Sequence, residues 1–469
     1  MLSNTGSSPP QAASALLSAS LEAHRASYVA ARSSSAPGTI RAFSAASRLE
    51  PRFLPLAVQA DAKDKAREAD WQYSDCHFHP TSYIQEGRTG AELIADMDHL
   101  RIRYATMMPI PTNVLSSQPD PAWKPLSGAH HCGPSYYLPP RLMTSPTLNQ
   151  QDIAEACQAS ELYMNTGVDA TTALRYRQLP AEARKRLDPM VTGLHIGDMH
   201  CSAYLLHKLH EYPGVFTGVG EITVHKEVVE QLFTGRRQAN LEDNVAPLCK
   251  LLETCGGIGM PVVLHCDITS PLASPGDAPS YLDGILRLFT DPAVSATTIV
   301  WAHAGGLGRF VDAPDGHLAA LRNMLADQRY NHIRIDLSWL AVAEKLVNSS
   351  ESMAQWAKLI EAFPTRFLYG SDALAPKESA SWGQTYAKYQ ALMPLLSPAC
   401  RDRVCLGNYL DVFVAARRKV RAFERFMLPT IYADMQKQFA SGGGPQSEAA
   451  TPVSLHDPFV LPLPEKQRQ

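Results

Sequence analysis

The sequence predicts an α/β protein of the (β/α)8 TIM-barrel class, and three observations support that prediction. Eight short apolar runs, each bounded by glycine, proline or polar residues, have the composition of buried parallel strands. Amphipathic segments with apolar residues at i, i+3 and i+4 lie between them, as expected for helices that cover a barrel. No glycine-rich nucleotide loop follows the first run, which disfavours the competing doubly wound open sheet.

The predicted strands and helices alternate along the chain. The strand runs are YSDCHFHP (73–80), YATMMPIP (104–111), MVTGLHIGD (190–198), VFTGVGEITV (215–224), MPVVLHCDI (260–268), TTIVWAHAGG (297–306), HIRIDLSWL (332–340) and RFLYGSDAL (366–374). The helix candidates with the clearest spacing are residues 91–100, 244–255, 281–289, 317–325 and 353–363. Strict alternation of this kind places the carboxyl ends of all strands at one mouth, where barrel enzymes keep their active sites.

The chain of 469 residues is long enough for one large catalytic domain with extensions at both ends. Residues 1–69 are expected to be a disordered tail or an organelle transit peptide, since they begin with a stretch rich in Ser and Ala. Residues 70–420 should form the barrel, with a long insertion at 112–150 that covers its mouth. Residues 421–469 should form a helical extension followed by a flexible tail.

Composition and charge disfavour several functional classes. The chain has 43 Lys and Arg against 46 Asp and Glu, so nucleic acid is not an expected partner. No apolar stretch is long enough for a transmembrane helix, and no membrane partner is expected. Nine cysteines without a CxxC pair indicate reduced thiols and a cytoplasmic location, although organelle import through the N-terminus stays open. The expected partner is a small-molecule substrate, and a homo-oligomer is an option.

Two histidines end the first predicted strand. His77 and His79 are two residues apart, so both point to one face of the strand while Phe78 points to the other. Two adjacent imidazoles can chelate one metal ion, an arrangement that core packing does not require. Alone, this tripeptide is a weak signal.

Four further metal-binding side chains strengthen it. Glu221, His265, His303 and Asp372 each follow the carboxyl end of a different predicted strand. Histidines combined with carboxylates form a donor set suited to zinc, iron or manganese. The sequence therefore predicts a divalent-metal site at the barrel mouth.

These motifs resemble the amidohydrolase superfamily of metal-dependent hydrolases over roughly residues 70–420. The resemblance rests on the paired histidines of the first strand, His265, His303 and Asp372, and on LGNYLDVF, in which Asn408 and Phe413 match a segment after the eighth strand. It implies that His77, His79 and Asp372 bind one metal, with His265 as a further ligand. It also implies that His303 binds a second metal or orients the substrate.

The number and identity of the metals stay open at this point. GVGEI, which contains Glu221, resembles the members of the superfamily that bridge two metals with a glutamate. Other members, closer to a decarboxylase branch, bind one metal without that bridge, and Glu221 could instead form a structural hydrogen bond. We expect one or two ions, zinc first, with manganese or iron as alternatives.

The expected reaction is hydrolysis of a small molecule. A metal lowers the pKa of its bound water, Asp372 would accept the proton as water attacks an amide, ester or lactone carbonyl, and His303 would help to stabilise the oxyanion. Two alternatives are a non-oxidative decarboxylase, hinted at by Arg309 beside HAGG, and a metal-binding protein without turnover.

Several other polar residues carry weaker expectations. Asp75 should hold an imidazole or the strand, and Asp336 should either line the pocket or form a structural hydrogen bond. A second metal site at His130, His131 and Cys132 is not expected. The other residues considered are His225, Lys226 and Arg309, expected in solvated loops, and Cys76 and Cys266, expected to pack in the core.

Overall fold

The structure is a computed structural model with one large parallel sheet at its centre. It describes residues 72–82, 86–114, 162–164, 167–194, 196, 201–224, 241–268, 281–306 and 316–433. The predicted N-terminal tail, most of the insertion at 112–150 and residues 434–469 lie outside these ranges. No described helix has the length and apolar character needed to cross a membrane.

The described strands belong to the main sheet or to two short pairs. They are β1 (Tyr73–Asp75), β2 (Phe78–His79), β3 (Ile102–Met107), β4 (Thr112–Val114), β5 (Leu162–Met164), β6 (Leu187–Val191), β7 (Gly218–Thr223), β8 (Val262–His265), β9 (Ile299–Trp301), β10 (Ile333–Asp336), β11 (Phe367–Leu368) and β12 (Ala373–Leu374). The main sheet has eight strands in the order β1-β3-β6-β7-β8-β9-β10-β11. All its neighbouring pairs are parallel, which confirms the predicted parallel α/β arrangement.

Backbone contacts also join the first and last strands of this sheet. The amide of Cys76, just after β1, donates to the carbonyl of Tyr369, just after β11, over 3.1 Å. Further along the same two segments, β2 pairs in parallel with β12. The sheet is therefore curled, and backbone hydrogen bonds link the segments that follow its first and last strands.

Helices follow the strands and cover the sheet. They are α1 (Gly90–His99), α2 (Val168–Gln178), α3 (Ala181–Arg184), α4 (Cys201–Glu211), α5 (Leu241–Ile258), α6 (Leu282–Phe289), α7 (His317–Ala326), α8 (Leu340–Leu346), α9 (Ser350–Ala362), α10 (Ser379–Trp382), α11 (Gln384–Tyr389), α12 (Pro398–Asp402) and α13 (Ala415–Phe426), with π-helical segments at Arg403–Gly407 and Leu410–Val414. Local sequence explains where some begin. At α1, Thr89 and Glu92 form a reciprocal capping box, which satisfies backbone amides that the first turn leaves open.

The predicted helices are confirmed to within a few residues, but some strand limits were wrong. The third predicted strand was placed at 190–198, whereas β6 spans Leu187–Val191. The early start was missed because Asp188 looks like a surface residue, yet it is fully buried beside Arg417 of α13. The start of the insertion forms a strand, since β4 pairs antiparallel with β5.

Candidate metal centre

The six predicted ligands converge at one end of the sheet. They lie in or just after the first, fourth, fifth, sixth and eighth strands of the main sheet, towards the carboxyl ends. In chain order, they are His77, His79, Glu221, His265, His303 and Asp372. Within this set, the donor atoms of His77, Glu221 and His303 lie within 4.8 Å of one another, as do those of His77, His79 and Asp372. Residues that are up to 295 positions apart in sequence thus form one largely buried polar cluster.

His77 and His79 present the same nitrogen to the centre of this cluster. Nδ1 of His79 bonds to the carbonyl of Met108 over 2.7 Å, and Nε2 lies 3.0 Å from Oδ1 of Asp372. Nδ1 of His77 bonds to Oδ2 of Asp336 over 2.9 Å. The alternation of the strand sends Phe78 to the other side, where its ring stacks on Trp382 at 4.0 Å. The prediction that the side chains of His77 and His79 point to the same side is therefore confirmed.

Glu221 lies among the four imidazoles. Its Oε1 is 2.9 Å from Nδ1 of His265, 3.6 Å from Nε2 of His303 and 3.7 Å from Nε2 of His77. Its Oε2 is 3.9 Å from Nε2 of His79. A carboxylate in this position can contact two cations at once or bond to several rings. The geometry is therefore compatible with a Glu221 that bridges two metals and with a Glu221 that forms structural hydrogen bonds.

His303 and His265 complete the ring of imidazoles, with their centroids 4.5 Å apart. The backbone amide of His303 donates to Oδ1 of Asp336, and its Nδ1 bonds to Oγ of Ser338, both over 2.8 Å. These bonds leave Nε2 of His303 directed at Glu221. Nε2 of His265 lies 3.2 Å from Oδ1 of Asp267. Three of the four rings are thus hydrogen-bonded to an outer partner and the fourth lies beside one, which resembles the pattern found around metal-binding histidines.

The surroundings of the cluster raise the pKa of His77 and lower the pKa values of His303 and Asp372. Burial opposes protonation of His77, but the carboxylates of Asp336, Asp372 and Glu221 outweigh it and raise its pKa to about 9. Burial and the neighbouring His265 lower the pKa of His303. Burial alone would raise the pKa of Asp372, but its bond to His79 and the charge of His77 lower it. Asp372 is therefore a carboxylate, and the centre favours a cation.

A divalent metal fits these residues. Nε2 of His77 is buried without a hydrogen-bond partner among the described residues, although carboxylate oxygens of Asp372 and Glu221 lie 3.5 and 3.7 Å away. A buried imidazole nitrogen in this position is normally satisfied, and a metal ion would satisfy it. The donor set of imidazoles and carboxylates is the one that zinc, iron and manganese accept.

The weaker candidates have structural environments. Oδ1 of Asp75 accepts hydrogen bonds from the backbone amides of His77 and Ser371, and Oδ2 accepts them from the hydroxyl of Ser371 and the indole of Trp382. Asp75 therefore holds the strand rather than an imidazole. The side chain of Asn408 donates to the carbonyls of Pro364 and Phe367 and thereby ties a π-helical segment to β11. Cys76 and Cys266 are buried in the core, as expected. The remaining candidates, His130, His131, Cys132, His225, Lys226 and Arg309, lie outside the described residues.

Three supporting groups were not predicted. Ser338 and the carbonyl of Met108 each bond to a candidate ligand ring, and Oδ1 of Asp267 lies 3.2 Å from Nε2 of His265. Ser338 lies two positions after Asp336, which ends β10, and Asp267 lies two positions after His265, which ends β8. The two-residue spacing that puts side chains on one face could therefore have indicated both residues. The role of a main-chain carbonyl such as that of Met108 leaves no trace in residue type.

Asp336 links two of the candidate ligands, so its removal should weaken the site. Asp336→Asn is expected to lower the affinity for Zn²⁺ by about 10–100-fold, because the carboxylate orients His77 and anchors the backbone of His303. Competition with a chromophoric chelator measures this affinity. Asp327→Asn, which alters an exposed cap of a 3-10 turn, is the matched control and should leave it unchanged. Equal affinities of the Asp336 variant and the control would show that Asp336 does not support the site.

Metal affinity should depend on pH through His77. In the metal-free protein its imidazole is protonated below about pH 9, and a metal ligand must be neutral, so binding has to release that proton. The apparent affinity for Co²⁺ should therefore rise by about tenfold per pH unit from pH 7 to about 9 and level off above it. Chelator competition at several pH values and proton release in weak buffer test this. A flat profile without proton release would contradict it.

Comparison with known proteins matches most of the chain to one protein family. The family model described as amidohydrolase matches residues 74–413, more than half of the chain. No curated protein matches it significantly in sequence.

Three solved structures are similar over most of their own length. A candidate 2-pyrone-4,6-dicarboxylic acid hydrolase from Pseudomonas putida is 14% identical, with 73% of this chain and 97% of the other covered and a TM-score of 0.39. A protein from Agrobacterium tumefaciens, solved in the apo state, is 11% identical, with 73% and 96% covered and a TM-score of 0.39. A candidate metal-dependent hydrolase from Lactobacillus casei is 13% identical, with 76% and 98% covered and a TM-score of 0.37.

Proposed function

The chain belongs to the amidohydrolase family and is an enzyme, and from this premise we propose that it hydrolyses an amide, ester or lactone carbonyl of a small molecule. The observation that carries the proposal is the position of Asp372. Its side chain is 18% exposed, whereas those of His77, His79, Glu221, His265 and His303 are at most 5% exposed. Asp372 is therefore the member of the cluster that a substrate or water can reach most easily.

We propose that the curled sheet is a closed (β/α)8 barrel with this cluster at its mouth. The bond from Cys76 to Tyr369 and the pairing of β2 with β12 support closure. Catalytic residues at the carboxyl ends of several strands are typical of that fold. The insertion beginning at residue 112 as a cover of the mouth and the extension after residue 420 remain parts of the same proposal.

The proposed ligands follow the arrangement of the rings. His77, His79 and Asp372 would hold one divalent metal, and His265 would be a further ligand. Glu221 would either bridge to a second ion or support a single one, and His303 would bind that second ion or orient the substrate. Zinc is the first expectation, with manganese and iron as alternatives.

The protein's own residues then divide the chemical work. A bound divalent metal would supply Lewis acidity that polarises the carbonyl and lowers the pKa of water. Asp372, held as a carboxylate 3.0 Å from Nε2 of His79, would accept a proton from the attacking water and pass it to the leaving group. His303, whose backbone amide bonds to Asp336 and whose ring bonds to Ser338, would help to stabilise the developing oxyanion. The burial of the cluster would strengthen both interactions.

A substrate screen in ¹⁸O-labelled water tests the reaction type. Metal-loaded protein is offered lactones, esters, amides and aromatic carboxylic acids, and products are analysed by mass. One ¹⁸O atom incorporated per turnover is the expected result. Carbon dioxide release without incorporation would reject hydrolysis and favour a decarboxylase, and metal binding without any turnover across a broad panel would favour a metal-binding protein.

Metal stoichiometry tests the role of Glu221. Two equivalents per chain that fall to one in Glu221→Gln would support a bridged pair of ions. One equivalent that this change leaves intact would support a single ion. The predicted domain limits, the cytoplasmic location and the absence of nucleic-acid or membrane partners stay predictions.

A further inference from the structure

The backbone that carries His303 is left-handed over four consecutive residues. The φ angle is 58° at His303, 56° at Ala304, 79° at Gly305 and 88° at Gly306. Glycine adopts this conformation freely, but a Cβ atom makes it sterically unfavourable at the first two positions. Contacts from outside the turn must therefore hold His303 and Ala304 in place.

His317 makes one of these contacts. It is the first residue of α7, it is 6% exposed, and its Nε2 lies 3.0 Å from the carbonyl oxygen of Ala304. A carbonyl can only accept a hydrogen bond, so Nε2 must carry the proton and donate it. Nδ1 of the same ring is buried and has no hydrogen-bond partner among the described residues. The bond to the carbonyl of Ala304 is thus the hydrogen bond that the His317 imidazole makes within the described part of the chain.

This bond complements the contacts made by His303 itself. Asp336 accepts from the amide of His303, and Ser338 bonds to its Nδ1, so the residue is held at its backbone and at the outer edge of its ring. Neither contact acts on the carbonyl of Ala304. His317 restrains that carbonyl and with it the peptide between Ala304 and Gly305, which lies inside the turn.

We propose that His317 is a positioning residue, which clamps the left-handed turn at Ala304 and so keeps Nε2 of His303 directed at Glu221 in the metal centre. The proposal rests on the proposed function, because it treats His303 as a group that acts on the metal centre. His317 does not contact any of the candidate ligand side chains through a described hydrogen bond, and it acts through the backbone. The competing explanation is simple packing, since its ring lies 6.4 Å from that of Trp356.

Cobalt binding to the full-length, metal-free protein tests the clamp. Co²⁺ is titrated while its visible d–d absorption is recorded, for wild type and for His317→Phe, His317→Gln, His303→Ala and the His303→Ala, His317→Phe double variant. Phe keeps the ring but cannot donate, whereas the amide nitrogen of Gln can reach the position of Nε2. Heat denaturation of each variant reports folding separately.

A clamp predicts a specific pattern. His317→Phe should lower Co²⁺ affinity by about 10–100-fold and change the d–d spectrum, and His317→Gln should restore affinity to within about threefold of wild type. In the His303→Ala background, His317→Phe should change affinity by less than about threefold, because the residue acts through His303. If the Phe variant does not fold, His317→Asn replaces it, since its shorter amide cannot reach Ala304.

Other results overturn the proposal. Equal losses in the Phe and Gln variants, or effects of His303→Ala and His317→Phe that add, would assign His317 to packing. An unchanged affinity and spectrum in His317→Phe would remove any role. Wild type that binds no Co²⁺ would refute the metal centre itself, whereas wild-type binding that His303→Ala leaves intact would refute only the link through His303.

Discussion

An Asp372→Asn variant is expected to keep its fold and to lose about 10²–10⁴-fold in kcat at saturating metal. The substitution keeps the shape of the side chain but removes the carboxylate that we propose as the proton acceptor. The neighbouring charges hold Asp372 ionised in the wild type, and an amide cannot take up a proton in its place. The assay uses a substrate found in the screen, with excess metal so that weaker binding does not limit the rate.

A nearby exposed acid provides the control for this prediction. Glu378→Gln changes the residue that precedes α10 by the same chemistry and should leave kcat within about twofold of wild type. Metal content is measured on the same samples. A kcat for Asp372→Asn within tenfold of wild type, with metal bound, would exclude Asp372 as the proton acceptor.

An Arg417→Met variant is expected to lose about 3–5 kcal/mol of unfolding free energy. Two nitrogens of Arg417 contact the two carboxylate oxygens of Asp188 over 2.5 and 2.6 Å, and the hydroxyl of Tyr409 donates to the same carboxylate over 2.7 Å. The side chain of Asp188 is fully buried, so removal of its cation leaves an uncompensated charge in the core. Denaturant unfolding followed by circular dichroism measures the loss.

Replacement of the neighbouring Arg418 is the control that distinguishes loss of the ion pair from the effect of removing any arginine of this helix. Arg418 is exposed on the same helix, and Arg418→Met should change stability by no more than about 0.5 kcal/mol. The Asp188→Asn, Arg417→Met double variant should recover part of the loss, because the buried charge is then absent. If Arg417→Met and Arg418→Met prove equally stable, the pair does not anchor α13 to the sheet.

Strand alternation and strand ends predicted that the candidate residues lie close together, because both depend on local geometry. A period of two residues places His77 and His79 on one face, and parallel strands bring their carboxyl ends to the same edge of the sheet. Glu221, His303 and Asp372 follow from the same rule applied to other runs. The structure brings them within a few ångströms of one another.

Long-range pairing explains what local patterns did not predict. Asp188 belongs to a buried strand only because Arg417, 229 positions later, neutralises it, so the run was read as starting after it. The left-handed turn at His303 is equally invisible in the sequence. Its first two residues are not glycine, and the contact from His317 that holds the second one depends on the packing of α7.

The central claim is that His77 and His79 hold a divalent metal, and metal analysis of purified protein tests it most directly. We expect at least one equivalent of metal per chain in wild type and in the His207→Ala, His210→Ala double variant, which alters two histidines of α4 away from the centre. The His77→Ala, His79→Ala double variant should contain almost none. Equal metal content in wild type and the His77→Ala, His79→Ala variant, whether high or near zero, would contradict the account.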